Sequence, residues 1–158
     1  WWKEIALGYV REQHEGDIEY IADRLRRDDL REVQAASGLD ARTALRSCVS
    51  SSGLVCTVVG QSPCALFGVV PIDEISGSVW LLGTDELTSN PLRKEFLRKG
   101  RQYVDALHNY RPLLGGYIDE RNAVHVRWLR KLGFHFINRH PEFGFEKRPF
   151  LEFVRLRA

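Results

Sequence analysis

Apolar residues in the first third of the chain recur mainly at helical spacing. Before them, residues 8–12 have the composition of a short strand. Residues 14–17 then predict a turn, in which Asp17 is the N-cap of a helix that continues through Arg27. The apolar face of this helix consists of Ile18, Ile21, Ala22 and Leu25.

Two more short helices are predicted before any sheet-like pattern begins. Asp29 and Glu32 have the spacing of a capping box at the start of the second helix, and Gly38 is placed to end it. The third helix begins at Asp40, presents one apolar face and ends in the polar segment 50–53.

The middle of the chain changes to the alternating, β-branched pattern of strands. Residues 54–59 and 65–70 are joined by the turn-forming segment 60–63, and residues 78–82 follow a longer connection. These segments predict an antiparallel meander of three strands.

A long amphipathic helix is predicted from Asn90 and Pro91, as cap and first-turn proline, to about His108. One stripe should face the sheet, and Gly100 within it suggests a close approach of two backbones. That stripe comprises Leu92, Phe96, Gly100, Tyr103 and Leu107. The basic residues on or beside the opposite side are Arg93, Lys94, Arg98, Lys99 and Arg101.

The last quarter predicts strand, short helix, strand. Residues 113–118 and 134–137 are apolar, strand-like segments, and the helix between them has Asn122 as its N-cap and Gly133 as its end. The apolar arc of this helix contains Val124, His125, Trp128, Leu129 and Leu132. We expect residues 138–149 to form a polar and aromatic loop, and residues 150–157 a final strand.

This order predicts an α/β fold of the mixed-sheet (α+β) type, with helices on both faces of the sheet. At 158 residues, the chain has the length of a single domain, residues 1–158. A domain of this size needs no disulfide bond or metal ion to fold. We expect Trp1 and Trp2, at the start of the numbering, to be less buried than tryptophan usually is.

The net charge and the apolar content of the chain limit the classes of function that it can have. Lys and Arg total 23 against 21 Asp and Glu, for a net charge of +2, so nucleic-acid binding through the basic helix face is the least favoured interpretation. No apolar run approaches the length of a membrane span, and the sequence predicts a soluble, unprocessed protein with no membrane partner.

The cysteines and histidines do not predict a metal site. Three cysteines without a close pair (Cys48, Cys56 and Cys64) fit reduced, inert thiols in the cytoplasm better than disulfides. The histidines lack the paired spacing of zinc ligands. His125 lies within an apolar helical arc, as a core histidine or as a residue facing a site.

The Asn122 helix resembles a motif of the GNAT acyltransferase superfamily. In that family an Asn-x-x-Ala-x-x-Leu-Tyr-x-Lys-x-Gly-Phe helix packs beside the pantetheine arm of acyl-CoA, and here Asn122, Lys131, Gly133 and Phe134 match it. Leu129 occupies the position of the tyrosine that often protonates the departing thiolate, so that role is not carried over. The resemblance extends to the layout of nearly the whole chain and implies a GNAT-like fold.

A narrower resemblance is to a small group of tailed-phage proteins with this fold, some acetyltransferase-like and some internal to the virion. It is carried by the segment Leu82-Gly83-Thr84-Asp85-Glu86, the Asn122 helix and the overall layout. It implies a location in the cytoplasm of a host cell, or in the virion, and a host or virion protein as a partner.

The resemblance implies acetyl-CoA as co-substrate and points to a set of site residues. GNAT enzymes hold the CoA pyrophosphate on a Gly-rich loop that opens the long helix. This chain lacks that loop, and Thr88, Ser89, Arg93 and Lys94 are the residues there that would replace it. Leu82, Gly83 and Thr84 would contact the acyl group at the strand end, with Asn122 and His125 beside the arm.

Catalytic candidates lie at the ends of two predicted strands. Asp85 and Glu86 are the candidates for the base that deprotonates an amine, although each taken alone fits a solvated or capping carboxylate better. Tyr117 is the candidate acid, although alternation along the strand fits a core aromatic as well.

Two functional hypotheses remain open. The first is an N-acyltransferase that passes an acetyl group from acetyl-CoA directly to an amine on a small molecule or protein. The second is a protein of the same fold that has lost catalysis and acts by binding, as a virion component or a modulator of a host protein. Asn122 favours the first, whereas the missing Gly-rich loop and Leu129 favour the second.

Overall fold

The structure, a computed structural model, describes residues 4–5 and 8–158. Trp1 and Trp2 lie outside this part, so the expectation about them stays a prediction. The described chain forms an eight-stranded sheet in the order β1-β2-β3-β4-β5-β6-β8-β7. Its strands are β1 Glu4–Ile5, β2 Gly8–Glu12, β3 Leu54–Val59, β4 Pro63–Pro71, β5 Ser76–Gly83, β6 Leu113–Asp119, β7 His135–Phe143 and β8 Arg148–Leu156.

The helices form layers on the two faces of this sheet. They are α1 Asp17–Ala22, α2 Arg27–Ser37, α3 Ala41–Ser51, α4 Leu92–Leu107 and α5 Ala123–Lys131. One core lies between the sheet and α4 with α5, and contains Phe96, Tyr103 and Trp128. The other lies under α1, α2 and α3 and contains Ile21 and Leu45. Element order and layers confirm the predicted mixed α/β fold.

The apolar patterns predicted the helices of the second half well. All five stripe residues of α4 are buried, as are His125, Trp128 and Leu132 of the α5 arc. Gly38 and Gly133 take left-handed conformations, with φ of 70° and 92°, at the ends of α2 and α5. A Cβ on Gly100 would meet the Leu132 side chain, so the close neighbour is a side chain rather than the predicted backbone.

Three predicted boundaries in the helical segments are wrong. The first helix ends at Ala22 rather than Arg27, and Asp17 does not cap it, because its carboxylate accepts hydrogen bonds from Arg11, Thr57 and the His14 amide instead. Asn90 does not cap α4, which begins at Leu92 with Pro91 in the cap position. Asp40 does cap α3, accepting from the Thr43 amide at 2.9 Å.

The predicted loop of residues 138–149 is mostly strand. β7 continues to Phe143, and a tight hairpin turn with left-handed Gly144 and Lys147 leads into β8. β7 lies at the edge of the sheet with most of its residues exposed, so it lacks the apolar alternation by which a half-buried strand is recognised.

Two features of the described residues bear on function. No helix among them is long and apolar enough to cross a membrane. Residues 4–5 and 8–158 also contain no group of three or more His, Cys, Asp or Glu side chains placed to hold a metal ion.

Candidate functional site

The two central strands separate partway along their length. β5 and β6 run parallel, and their pairing covers only the three pairs from Ser76–Leu113 to Ser78–Gly115. Beyond it, β5 stays paired with β4 as far as Gly83, while β6 stays paired with β8 as far as Asp119. The sheet therefore opens into a split between the carboxyl halves of β5 and β6.

A cavity of about 430 Å³ occupies this split and reaches both faces of the sheet. Phe96 and Trp128 line it from the α4 and α5 side, and Val33 and Ala44 line it from the α2 and α3 side. Leu81 and Leu82 of β5 form part of its wall. Such walls suit an extended ligand with apolar portions.

A group of polar side chains meets beside the split, and we call it the buried cluster: Arg26, Asp29, Glu32, Asn122 and His125. Arg26, Asp29, Asn122 and His125 are each at least nine-tenths buried. The first three cluster residues lie at or near the start of α2, and the last two lie at the start of α5. The cluster therefore joins the two faces of the sheet at the split.

Asp29 is the centre of the buried cluster. Its fully buried carboxylate accepts hydrogen bonds from Arg26 at 2.8 Å, from the Asn122 side-chain amide at 3.0 Å and from the Gly83 backbone amide at 2.9 Å. Because buried carboxylates require such partners, α2 is fixed against the end of β5. The Gly83 amide, predicted to contact an acyl group, is thereby occupied by a carboxylate.

Glu32 is one of two cluster members that line the cavity, and the only carboxylate of the two. It is half-buried, and its carboxylate accepts from the Asp119 backbone amide at 3.0 Å and from the Asn122 side-chain amide at 3.4 Å. Burial, followed by the negative charge of Asp29, raises the pKa of Glu32 to about 8. A carboxyl group of this kind exchanges a proton near neutral pH.

His125 is a buried, neutral member of the cluster. Burial lowers its pKa, and the Arg26 charge acts in the same direction, whereas Asp29 opposes the shift. Its Nε2 lies 3.3 Å from Arg26 Nη1 and its Nδ1 lies 3.3 Å from Asp29 Oδ1. Arginine can only donate, so we assign the proton to Nδ1. His125 also lines the cavity, so it is both a core histidine and a residue that faces the candidate site, the two alternatives predicted from the sequence.

Asn122 has a different role from the predicted one. It makes no side-chain capping hydrogen bond to α5, because its side chain contacts Asp29 and Glu32 instead. Asp29 and Glu32 likewise form no capping box, since α2 begins earlier, at Arg27, and both carboxylates accept from other elements.

The structure places the predicted base candidates away from the cavity. Asp85 is exposed, and Glu86 accepts from the Gln61 backbone amide at 2.7 Å, in the turn between β3 and β4. Neither carboxylate lines the cavity. Thr84 is buried, and its backbone amide donates to the Cys64 carbonyl at 2.8 Å.

The residues predicted to bind pyrophosphate lie together before and within the first turn of α4. The Thr88 and Ser89 hydroxyl groups donate to the carbonyls of Asp85 and Glu86, at 3.2 and 2.6 Å. Arg93 is half-buried and Lys94 is exposed, so their positive charges are accessible to solvent. Thus two cations and a helix N-terminus come together there, while both hydroxyl protons are engaged locally.

Tyr117 lines the cavity from β6 and is 46% exposed, so it is not a core aromatic. Its ring stacks on Phe143 with centroids 4.7 Å apart. Leu82, another predicted site residue, also lines the cavity. The split thus brings together Leu82, Tyr117 and His125 of the predicted set.

Sequence reasoning missed the roles of Arg26, Asp29 and Glu32. Their pattern is typical of a helix start, and nothing local distinguishes a capping carboxylate from one that reaches another element. Their partners Asn122 and His125 lie 90 to 99 residues away along the chain. Only the tertiary fold brings these groups together.

Comparison with known proteins identifies the fold. No protein-family model and no curated protein matches the sequence. Among solved structures, spermidine N-acetyltransferase from Vibrio cholerae, in complex with CoA and spermine, superposes with a TM-score of 0.71 at 12% identity over 96% of each chain. A GNAT-family acetyltransferase from Bacillus anthracis gives 0.71 at 10% identity over 99% of each chain.

A third similar structure is a GNAT superfamily phosphinothricin acetyltransferase from Sinorhizobium meliloti, solved with AcCoA. Its TM-score is 0.69 at 16% identity, over 95% of this chain and 88% of that chain. Identities this low establish shared architecture rather than shared activity. The chain described here has the GNAT fold.

Proposed function

We propose that the protein is an N-acyltransferase that transfers an acetyl group from acetyl-CoA directly to an amine on a small molecule or protein. The observation that carries the proposal is the split between β5 and β6, which opens into an apolar cavity reaching both faces of the sheet. Two substrates can approach each other through such an opening from opposite faces. Acetyl-CoA supplies the activated acyl group.

The residues of the split fit the acyl end of such a substrate. The Gly83 amide points away from β4 toward Asp29, and alternation along a strand gives the Leu81 amide the same direction. Leu81 lines the cavity, so its amide is our candidate donor to the thioester carbonyl oxygen. Tyr117 lines the same cavity and is our candidate for protonating the leaving thiolate.

The residues expected to bind the pyrophosphate of CoA fit that role less well. Arg93 and Lys94, at the start of α4, are the residues that would hold it by charge and by the helix N-terminus. Asp85 and Glu86 bring negative charge to the same segment. We therefore expect binding to depend strongly on salt concentration.

The test is a calorimetric titration of acetyl-CoA into the protein, with a melting-temperature shift as a second measurement. Ligand at 100 times its dissociation constant adds about 2.7 kcal/mol to the unfolding free energy. Leu129→Trp places a large ring in the cavity and should abolish binding. Arg127→Trp places the same ring on the exposed side of α5 and should leave it unchanged.

A second candidate function is binding without catalysis, as a virion component or a modulator of a host protein. It is favoured by the Asp29 carboxylate on the Gly83 amide and by the absence of a Gly-rich loop. Under this hypothesis, millimolar acetyl-CoA gives neither heat nor a melting shift. That result would reject the acyltransferase proposal.

A further inference from the structure

We infer that Glu32 receives the proton of the acceptor amine, and that this amine is carried on an apolar body rather than on a polycation. The inference rests on the proposed acyltransferase function and assigns a residue and an acceptor class to the same cavity. It replaces Asp85 and Glu86, which lie outside the cavity, as the candidate base.

The first observation is the position of Glu32 in the wall of the cavity. Among the cavity-lining residues in the described part of the chain, Glu32 is the one carboxylate. It lies on the α2 side of the sheet, opposite the α4 and α5 side. The carboxylate is held by the Asp119 amide at 3.0 Å and by Asn122 at 3.4 Å, and these two donors fix its orientation at the cavity wall.

The second observation is the charge around Glu32. Asp29 on α2 and Asp119 at the end of β6 both disfavour its ionised form. The cations nearby are already paired, Arg26 with Asp29 at 2.8 Å and Arg121 with Asp119 at 2.7 Å. His125 is neutral, and Arg31 pairs with Asp28 at 3.0 Å. An incoming ammonium group would therefore find in Glu32 a carboxyl with a pKa of about 8 that no cation of the described residues pairs with.

The third observation is the surface that the rest of an acceptor would meet. Apolar and aromatic side chains line the same cavity as Glu32: Val33, Ala36, Leu39, Phe143 and Phe150. The Cys48 thiol nearby stays neutral, because burial raises its pKa. A second ammonium group on the same molecule would have no carboxylate on the described wall to pair with, and burying an unpaired charge is costly.

The amine nitrogen forms a bond to the acyl carbon, the carbon–sulfur bond breaks, and its electron pair leaves on the CoA sulfur. Before it attacks, an acceptor that enters as an ammonium group gives one proton to Glu32, which releases it to solvent. The second proton, lost from nitrogen as the amide forms, also goes to solvent. The thiolate gains one proton, from Tyr117 or from water, so the products are the amide and the free thiol.

The experiment measures transfer from acetyl-CoA to 2-phenylethylamine and to spermidine, by thiol release between pH 6 and pH 9. We expect preference for 2-phenylethylamine, with kcat/KM rising through a pKa near 8. In Glu32→Gln, which keeps the hydrogen-bond acceptor for Asp119, kcat should fall about 100-fold or more, and the part of the rise that follows a pKa near 8 should disappear. Acetyl-CoA affinity should not change. Glu32→Asp should retain part of the rate, and the surface control Glu19→Gln all of it.

Four outcomes would overturn the inference or its basis. Unchanged rate and pH profile in a folded Glu32→Gln would reject Glu32 as the base while leaving the acyltransferase proposal intact. Faster transfer to spermidine, or acetyl-CoA binding without transfer to 2-phenylethylamine, would reject the apolar acceptor class. Failure of the unchanged protein to bind acetyl-CoA would instead reject the proposed function, and this inference with it.

Discussion

At the scale of single residues, burial matters more than distance in deciding what an ion pair contributes. Arg42 and Asp23 approach to 2.6 Å, but about half of each side chain is exposed, at 47% and 46%. Arg26 and Asp29 are slightly farther apart at 2.8 Å, with 7% and 0% exposed. Water screens the first pair, whereas the second has no solvent to replace a lost partner.

We therefore predict that Arg26→Met lowers the unfolding free energy by about 3–5 kcal/mol, because it leaves the buried Asp29 charge without its cation. The matched control Arg42→Met should leave the unfolding midpoint almost unchanged. Urea unfolding followed by circular dichroism measures both. Equal effects of the two substitutions would mean that the buried pair contributes no more than a surface pair.

At the scale of elements, α3 and α5 begin with residues of the same capping type that act differently. Asp40 caps α3 through the Thr43 amide, whereas Asn122 at the start of α5 is turned into the buried cluster. Serine caps helices about as well as either residue. A change to serine therefore separates capping from contacts with other elements.

We predict that Asp40→Ser is nearly neutral and that Asn122→Ser lowers the unfolding free energy by about 1–3 kcal/mol. The second change removes a donor from the buried Asp29 carboxylate and from Glu32. Thermal and urea unfolding of the two variants measure the difference. A neutral Asn122→Ser would show that the helix start, and not the buried cluster, determines what this side chain contributes.

Amphipathic elements could be predicted from the sequence, because one of their faces is buried and the other is exposed to solvent. The α4 stripe from Leu92 to Leu107 follows from periodicity because this helix has such a pair of faces. The three meander strands are covered on both faces and follow instead from their apolar, β-branched composition. The prediction ended β7 at Ile137 rather than at Phe143, because the rest of this edge strand contains Pro141 and is largely exposed. It overextended the first helix, since the apolar spacing continues past Ala22 although the helix ends there.

The candidate site was predictable only in part, for a related reason. The end of β5, Tyr117 and the α5 helix follow from element order and a recognisable motif. The carboxylate that faces the cavity does not, because Glu32 is held there by a hydrogen bond from the backbone amide of Asp119, which lies 87 residues away along the chain. The sequence around a residue indicates only its neighbours along the chain. The spacing of Asp29 and Glu32 therefore fitted a capping box, and it could not show that both carboxylates contact other elements.

At the scale of the whole molecule, Glu32 links stability to pH. Its pKa is raised from 4.5 to about 8 in the folded chain, so the folded state retains a proton that the unfolded state has released. The unfolding free energy should therefore fall as pH rises from about 4.5 to about 8. The lowered pKa of His125 acts oppositely, reducing stability as pH falls below about 6.5.

We predict that Glu32→Gln, which cannot titrate, becomes more stable relative to the unchanged protein as pH rises through this range. The contributions of His125 and Asp119 are present in both proteins and largely cancel in the comparison. Urea unfolding at pH 5, 6, 7 and 8 measures the difference. A difference that is constant with pH would contradict a raised pKa at Glu32.

The contacts of α2 with the split also determine how the cavity wall fluctuates. The amides of Gly83 and Asp119 lie at strand ends, and both donate to carboxylates of α2, Asp29 and Glu32, across 54 and 87 residues of chain. Neither amide can exchange its hydrogen with solvent until α2 leaves the sheet, and that departure also breaks the contacts with Asn122. By strand pairing alone these two amides would lie at an open edge, but the α2 carboxylates hold both of them, so we expect their hydrogen exchange to require the opening of α2 as one unit.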